Sequence, residues 1–265
     1  MKKRYLILTL IILSICSIFI GVKDISFVDI FKSDDVKLKV LLISRIPRLI
    51  SIIIVGATMS IAGLIMQQIS RNKFVSPDTA STVDSAKLGI LVALMIFPSA
   101  TLTEKMIVSF IFSLLGTFLF MKILKKIKAK NSIFIPLVGI MLGNIIDSIT
   151  TFFAYKYNLI QSIASWLQGD FSLIIKGNYE LIYLSLPLVV ISFIYANKFT
   201  VAGMGEDFSK NLGVNYNRII NMGLVIVALI SSLVVITVGK IPFLGLIVPN
   251  IVTLYKGDNL KIVFG

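Results

Sequence analysis

Residues 45–69 read RIPRLISIIIVGATMSIAGLIMQQI, and no charge interrupts the chain between Arg48 and Arg71. Such a run matches the ~20 residues that a helix needs to cross ~30 Å of hydrocarbon. Working outward, seven further apolar segments stand near 5–22, 88–102, 106–121, 133–155, 181–196, 219–238 and 241–255. Several are shorter than a perpendicular crossing requires, and Pro98, Pro136, Pro187, Pro242 and Pro249 lie at or inside them. Broken backbone at membrane depth is tolerated only where protein or a water-filled cavity supplies partners. The expected fold class is an all-α integral membrane protein, a polytopic helical bundle forming one domain over 1–265, with tilted or re-entrant pieces of the kind transporters use.

Composition agrees. Of 265 residues, 57% are hydrophobic and 15% charged, against roughly 25% charged in soluble domains. The absence of His excludes His-based acid–base chemistry and His-ligated zinc, and a single Cys excludes a disulfide scaffold. The net charge of +13 belongs with a membrane partner rather than nucleic acid. Lys2, Lys3 and Arg4 before an apolar run imitate a signal peptide, but no small residues are placed for cleavage, and the bulky Ile15 argues against lipidation of Cys16. A retained first helix with Cys16 as a core thiol is expected.

Loop charges set the direction. With the N-terminus inside, 16 of the 26 Lys and Arg fall in inner loops, five of them between Lys122 and Lys130 and one at Lys87. The loop Lys23–Arg48 dissents with six bases, diluted by Asp24, Asp29, Asp34 and Asp35. N-inside remains the better fit and puts Arg45 and Arg48 outside. Residues 159–175, with Trp166, suit a short amphipathic helix at the outer interface. The polar stretch 196–218 is the largest inner loop, with enough Gly to break into two short helices, and a natural handle for a cytoplasmic partner.

No G-x-x-x-x-G-K-[ST] loop occurs, so ATP, if used, is bound by another subunit. No nucleophile–base pair or metal cluster emerges either. Gly56, Ser60, Gly63 and Gln67 make one stripe at i, i+4, i+7 and i+11, which fits close helix packing or, at Gln67, a pathway lining. Asn144, Asp147, Ser148 and Thr151 recur on one helix face, and an acid near mid-membrane costs at least ~2.5 kcal/mol, so Asp147 should face a cavity or a partner. Arg45-Ile46-Pro47-Arg48 offers two guanidinium forks for carboxylates or for lipid headgroups, with Ile46 expected to be extended before Pro47.

In order along the chain, several stretches resemble the FecCD-type ABC importer permeases, which carry iron–siderophore complexes and vitamin B12. They are Arg45-Ile-Pro-Arg-Leu with Val55-Gly-Ala, Gly63-Leu-Ile-Met-Gln-Gln with Arg71-Asn72, and Pro136-Leu-Val-Gly-Ile-Met-Leu-Gly143. Ser165-Trp-Leu-Gln-Gly169, Gly203-Met-Gly-Glu-Asp207 with Leu212-Gly213, and Pro242-Phe-Leu-Gly-Leu-Ile-Val-Pro-Asn250 follow. Residues 67–77 and Lys240-Ile-Pro-Phe-Leu-Gly are most similar to the branch serving catecholate siderophores such as petrobactin, enterobactin and anguibactin. The resemblance implies docking of an extracytoplasmic siderophore-binding protein on Arg45 and Arg48. It implies coupling to cytoplasmic ABC ATPase subunits through Gly203, Gly205, Glu206, Asp207, Leu212 and Gly213. Asn72 and Phe74, with Asn131 and Ser132, would form the inner gate.

The implied protein is a permease dimer, with itself or a sister chain, in a bacterial cytoplasmic membrane. It passes a ferric siderophore inward, binds no cofactor or metal of its own, and leaves ATP and Mg to the partner ATPase. Where the resemblance implies about ten spans, this chain stops after eight, so two helices and a further docking arginine would be missing, as in a shortened frame or fragment. Asp147 is no family hallmark. A vitamin B12 or haem permease of the same family and, through Asp147, an ion-coupled secondary transporter are the alternatives, with a membrane enzyme a weaker one.

Overall fold

A computed structural model describes residues 3–20, 35–127 and 134–256. Among these residues twelve α-helices follow in order: α1 (Lys3–Phe19), α2 (Asp35–Val40), α3 (Ile46–Ser70), α4 (Thr82–Ile96), α5 (Leu102–Ile127) and α6 (Phe134–Lys156), then α7 (Ile160–Leu167), α8 (Ser185–Ile194), α9 (Ala196–Gly203), α10 (Glu206–Asn211), α11 (Tyr216–Val238) and α12 (Leu244–Lys256). Among the described residues, four helical stretches are long and apolar enough to cross a membrane: Lys37–Ser70, Leu102–Leu124, Phe134–Lys156 and Tyr216–Val238. The bent pair 180–203, turned by 63° near Tyr195, makes a fifth. Of the eight expected spans, α1 (17 residues), α4 (15) and α12 (13) fall short of a full crossing length.

The second span begins earlier than its apolar run. A five-residue π-turn, Leu41–Arg45, joins α2 to α3 without a break. The expected loop is therefore helical from Asp35 onward, and Ile46 is helical (φ −65°, ψ −49°) rather than extended. Pro47 has no N–H to offer Ile43 O, and that carbonyl instead accepts the Lys176 N–H at 2.8 Å. A contact from a distant loop thus compensates the residue that would otherwise break the helix.

α11 is the axis of the bundle, with 78% of its apolar window enclosed, and it packs on α3, α4 and α5. Small residues set the other crossings. A Cβ on Gly63 would overlap Gly245 O, the carbonyl that Pro249 leaves without its helical donor, so α3 and α12 meet backbone to backbone. Gly139 and Gly143 in α6 likewise abut Thr79 O and Asp84 Oδ2. The α4–α5 hairpin closes with a capping box, in which Glu104 Oε2 accepts from Thr101 N at 2.7 Å and Thr101 Oγ1 backs onto Glu104 N at 3.3 Å. Ser109 Oγ then ties α5 to Ala86 O on α4 at 2.8 Å.

Three expectations change. Lys87 sits inside α4, not in an inner loop. Cys16 is exposed rather than in the core, because α1 lies at the edge and turns only one side of its last turns toward α3. The Gly56–Gln67 stripe divides: Gly63 and Gln67 face α12, while Gly56 has open space beside it and Ser60 bonds back to Gly56 O.

Gly63→Val should wedge α3 from α12 and lower stability by roughly 2–3 kcal/mol, whereas Gly56→Ala should be neutral or stabilising by up to about 1 kcal/mol. Thermal unfolding of the purified protein in detergent measures both; equal melting for Gly63→Val and wild type would remove the close crossing.

Candidate functional site

The bundle presents two ends. At one, the tail of α1, the π-turn, α7 and Lys240 gather; at the other lie the end of α3, α9 and α10. Arg45 and Arg48 belong to the first. Arg45 is 8% exposed, and its Nη1 donates to Ile18 O at 2.5 Å, closing an open carbonyl at the end of α1. Arg48 is half-buried, and its Nε makes no hydrogen bond among the described residues. Nearby, Asp170 is held below the usual carboxylate range by the Ser172 hydroxyl and N–H, with a smaller pull from Arg48. Asp170 N donates to Val238 O and Lys240 N to Leu167 O, so the exit of α7 is stitched to the α11–α12 link. Trp166 falls in α7, the short helix expected within 159–175.

At the second end, 196–218 does break into two short helices, α9 and α10. Gly205 (φ 119°) and Gly213 (φ 70°) take left-handed conformations that other residues adopt only under strain. Ser209 Oγ bonds Gly205 O at 2.7 Å, fixing the turn, and Glu206 pairs with Lys210 at 2.8 Å, holding that ammonium above the ordinary lysine value. Asp207 follows in the first turn of α10. Met204, Phe208 and Leu212 are each about half exposed and recur every four residues. The sequence singles out Leu212; Phe208 stands one turn before it on α10, at i, i+4, whereas Met204 lies before the Gly205 break. Gly203 and Gly205 lie against Gln68 and Arg71, so this loop touches the end of α3 directly.

Arg71 ends α3 in the left-handed region (φ 52°), and Asn72 N returns to Gln67 O at 3.1 Å. Asn72 Oδ1 accepts from Phe74 N at 2.9 Å, a local turn that leaves the Phe74 ring 85% exposed. Gln67 is buried and reaches Leu246 O on α12 at 3.4 Å. Together Gln67, Asn72, Arg71 and Gly203 help line a cavity of about 430 Å³. Asn131 and Ser132 lie outside the described residues.

Between the two ends, Asp147 has a partner that the sequence did not reveal. Lys87 Nζ meets Asp147 Oδ1 at 2.6 Å and Thr151 Oγ1 at 3.3 Å. Each charged residue stands nine positions before the end of its helix, about 14 Å along the axis, so the two match in depth. The signal was Asp147 itself, whose cost at that depth demands a counter-charge on a neighbouring span. Asn144 and Ser148 share its face and are exposed, Ser148 bonding back to Asn144 O. Among the described residues no group of three acids, Cys or His is placed to hold a metal ion.

The model of the FecCD transport family matches residues 8–264. The petrobactin import system permease protein YclN of Bacillus subtilis (strain 168) is 64% identical over 98% of this chain and 83% of its own. FatD of Bacillus anthracis, also a petrobactin permease, is 40% identical over 96% of the chain and 75% of its own. The ferric-anguibactin permease FatD of Vibrio anguillarum is 38% identical over 97% and 82%. A solved metal-chelate type ABC transporter in an inward-facing conformation superposes with a TM-score of 0.85 at 22% identity, over 98% of this chain and 82% of that one, and so shares the fold.

Lys87→Met or Asp147→Leu alone leaves one charge uncompensated, whereas the double variant removes both. Each single change should cost roughly 1–2 kcal/mol, less than the ~3–5 kcal/mol of a fully buried pair because 44% of the Asp147 side chain is exposed. The double variant should recover most of the loss, and strictly additive melting in detergent would count against coupling.

Proposed function

The chain belongs to the FecCD transport family, and we propose that it is the membrane-spanning permease subunit of an ATP-binding-cassette importer that carries a ferric siderophore of the catecholate class, petrobactin foremost. One observation carries the substrate: the likeness to YclN runs almost the whole length of the chain. In this reading the α7 end faces outward and the α10 end faces the cytoplasm, which places the N-terminus inside a bacterial cytoplasmic membrane. Two copies, or this chain and a sister permease, enclose the route. The polar face of α6, with Asn144, Asp147, Ser148 and Thr151, is then turned away from lipid, as polar groups at that depth require.

The chemistry is non-covalent. A binding protein delivers the chelate onto the end bearing Arg48, with Arg45 bracing α1 behind it. ATPase subunits, which hold the ATP and Mg, grip the exposed Met204, Phe208 and Leu212 beside Gly203–Gly213. Motion there reaches α3 through Gln68 and Arg71, and through α3 the turn at Asn72 and Phe74. ATP does work in this scheme only by stabilising one arrangement of that loop over another. Pairing with Lys87 supplies Asp147 with a structural role, which removes the main feature favouring an ion-coupled transporter.

In proteoliposomes with the cognate ATPase and binding protein, ferric petrobactin uptake should require both ATP and the binding protein. Uptake on a proton gradient alone would overturn the assignment. Arg48→Glu should weaken binding-protein-dependent uptake roughly tenfold through like-charge repulsion, while the ATPase still assembles with the permease. Full uptake by that variant would remove Arg48 from the docking surface.

A further inference from the structure

Asn250 closes the motif Pro242–Asn250, yet nothing above gives it a task. Its side-chain amide carries two N–H donors, and both are committed. Nδ2 donates to Leu246 O, one turn back on α12, at 2.9 Å. It also donates to Lys73 O at 2.8 Å, across 177 positions of sequence. Lys73 lies between Asn72 and Phe74, in the turn that leaves α3. On its other side that turn is pinned by Asn72 N to Gln67 O, and Gln67 reaches the same Leu246 carbonyl as Asn250. Two amides, one on α3 and one on α12, thus converge on one carbonyl, with the Asn72–Phe74 turn strung between them.

From this convergence we infer that Asn250 is a positioning residue for transport: it latches the Asn72–Phe74 turn to α12, so that the turn moves only together with that helix. The inference rests on the transport reading and adds to it the group that holds the gate. Packing supports the coupling. α12 is seated on α3 through Gly245 against Gly63, and Pro77, a few residues beyond the turn, touches Gly245 as well. The Asn250–Lys73 bond is exposed, so a side chain without donors leaves that carbonyl to water and frees the turn from α12 rather than unfolding either helix. Thr253, one turn further along α12, lines the 430 Å³ cavity together with Asn72 and Lys73, so loosening the turn would open that cavity.

The test uses the complete importer, with permease, ATPase and binding protein in proteoliposomes, and reads iron imported per ATP hydrolysed alongside passive efflux of preloaded ferric chelate. Asn250→Leu keeps the shape and removes both donors. It should lower iron per ATP by roughly three- to tenfold and raise passive efflux, while ATP hydrolysis continues. Asn250→His, which retains a donor on a side chain of similar reach, should restore the ratio to near the wild-type value. If Asn250→Leu fails to assemble, Asn250→Asp, isosteric but without donors, takes its place against Asn250→His. A donor-free variant with the wild-type ratio and no added efflux would overturn the latch, and so would equal loss in the Asp and His variants. Failure of the wild-type complex to import iron on ATP is a separate result, which would remove the transport reading and the latch together.

Discussion

At membrane depth a carbonyl that loses its helical donor must find another partner within the protein, and this bundle is arranged around a few such carbonyls. Pro47 leaves Ile43 O to the Lys176 N–H, and so binds the loop after α7 to the start of α3. Pro249 leaves Gly245 O against Gly63, where only a hydrogen on the glycine allows the approach. Ile18 O, at the end of α1, is closed by the Arg45 guanidinium. Each repair joins segments distant in sequence. The positions that look like helix breakers therefore specify which helices meet.

The same economy governs charge. Lys87 and Asp147 are individually costly inside an apolar bundle, and their shared depth on α4 and α6 makes the pair tolerable. Polar work is otherwise pushed to the two ends. One end carries arginines and an amphipathic helix; the other carries a glycine-hinged loop with an exposed apolar row. A chain with opposite ends so unlike each other, joined by the long helix α3, has the mechanical form needed to relay an event at one face to the other.

Much of this was legible beforehand. Long apolar runs and the polar, glycine-rich 196–218 stretch gave the helices and the broken loop, since hydrophobic period and glycine placement are local properties. The motif order located both ends. What escaped was relational. Lys87 stands beside the start of an apolar run and reads as a loop base, and only the approach of α6 explains it. Asn250 closes a recognisable motif, but its link to the turn after α3 has no local signal, because Lys73 lies 177 positions away. Ile46 departs from the extended conformation usual before proline because a π-turn carries the helix through it.

One peripheral detail is of practical use. Cys16 is the single thiol in these 265 residues, and it stands exposed on a helix that turns most of its surface away from its neighbours. A nitroxide or fluorophore attached there would sit on the outside of the bundle, away from the packed axis at α11. Spectroscopy of these 265 residues would then need no cysteine-free background.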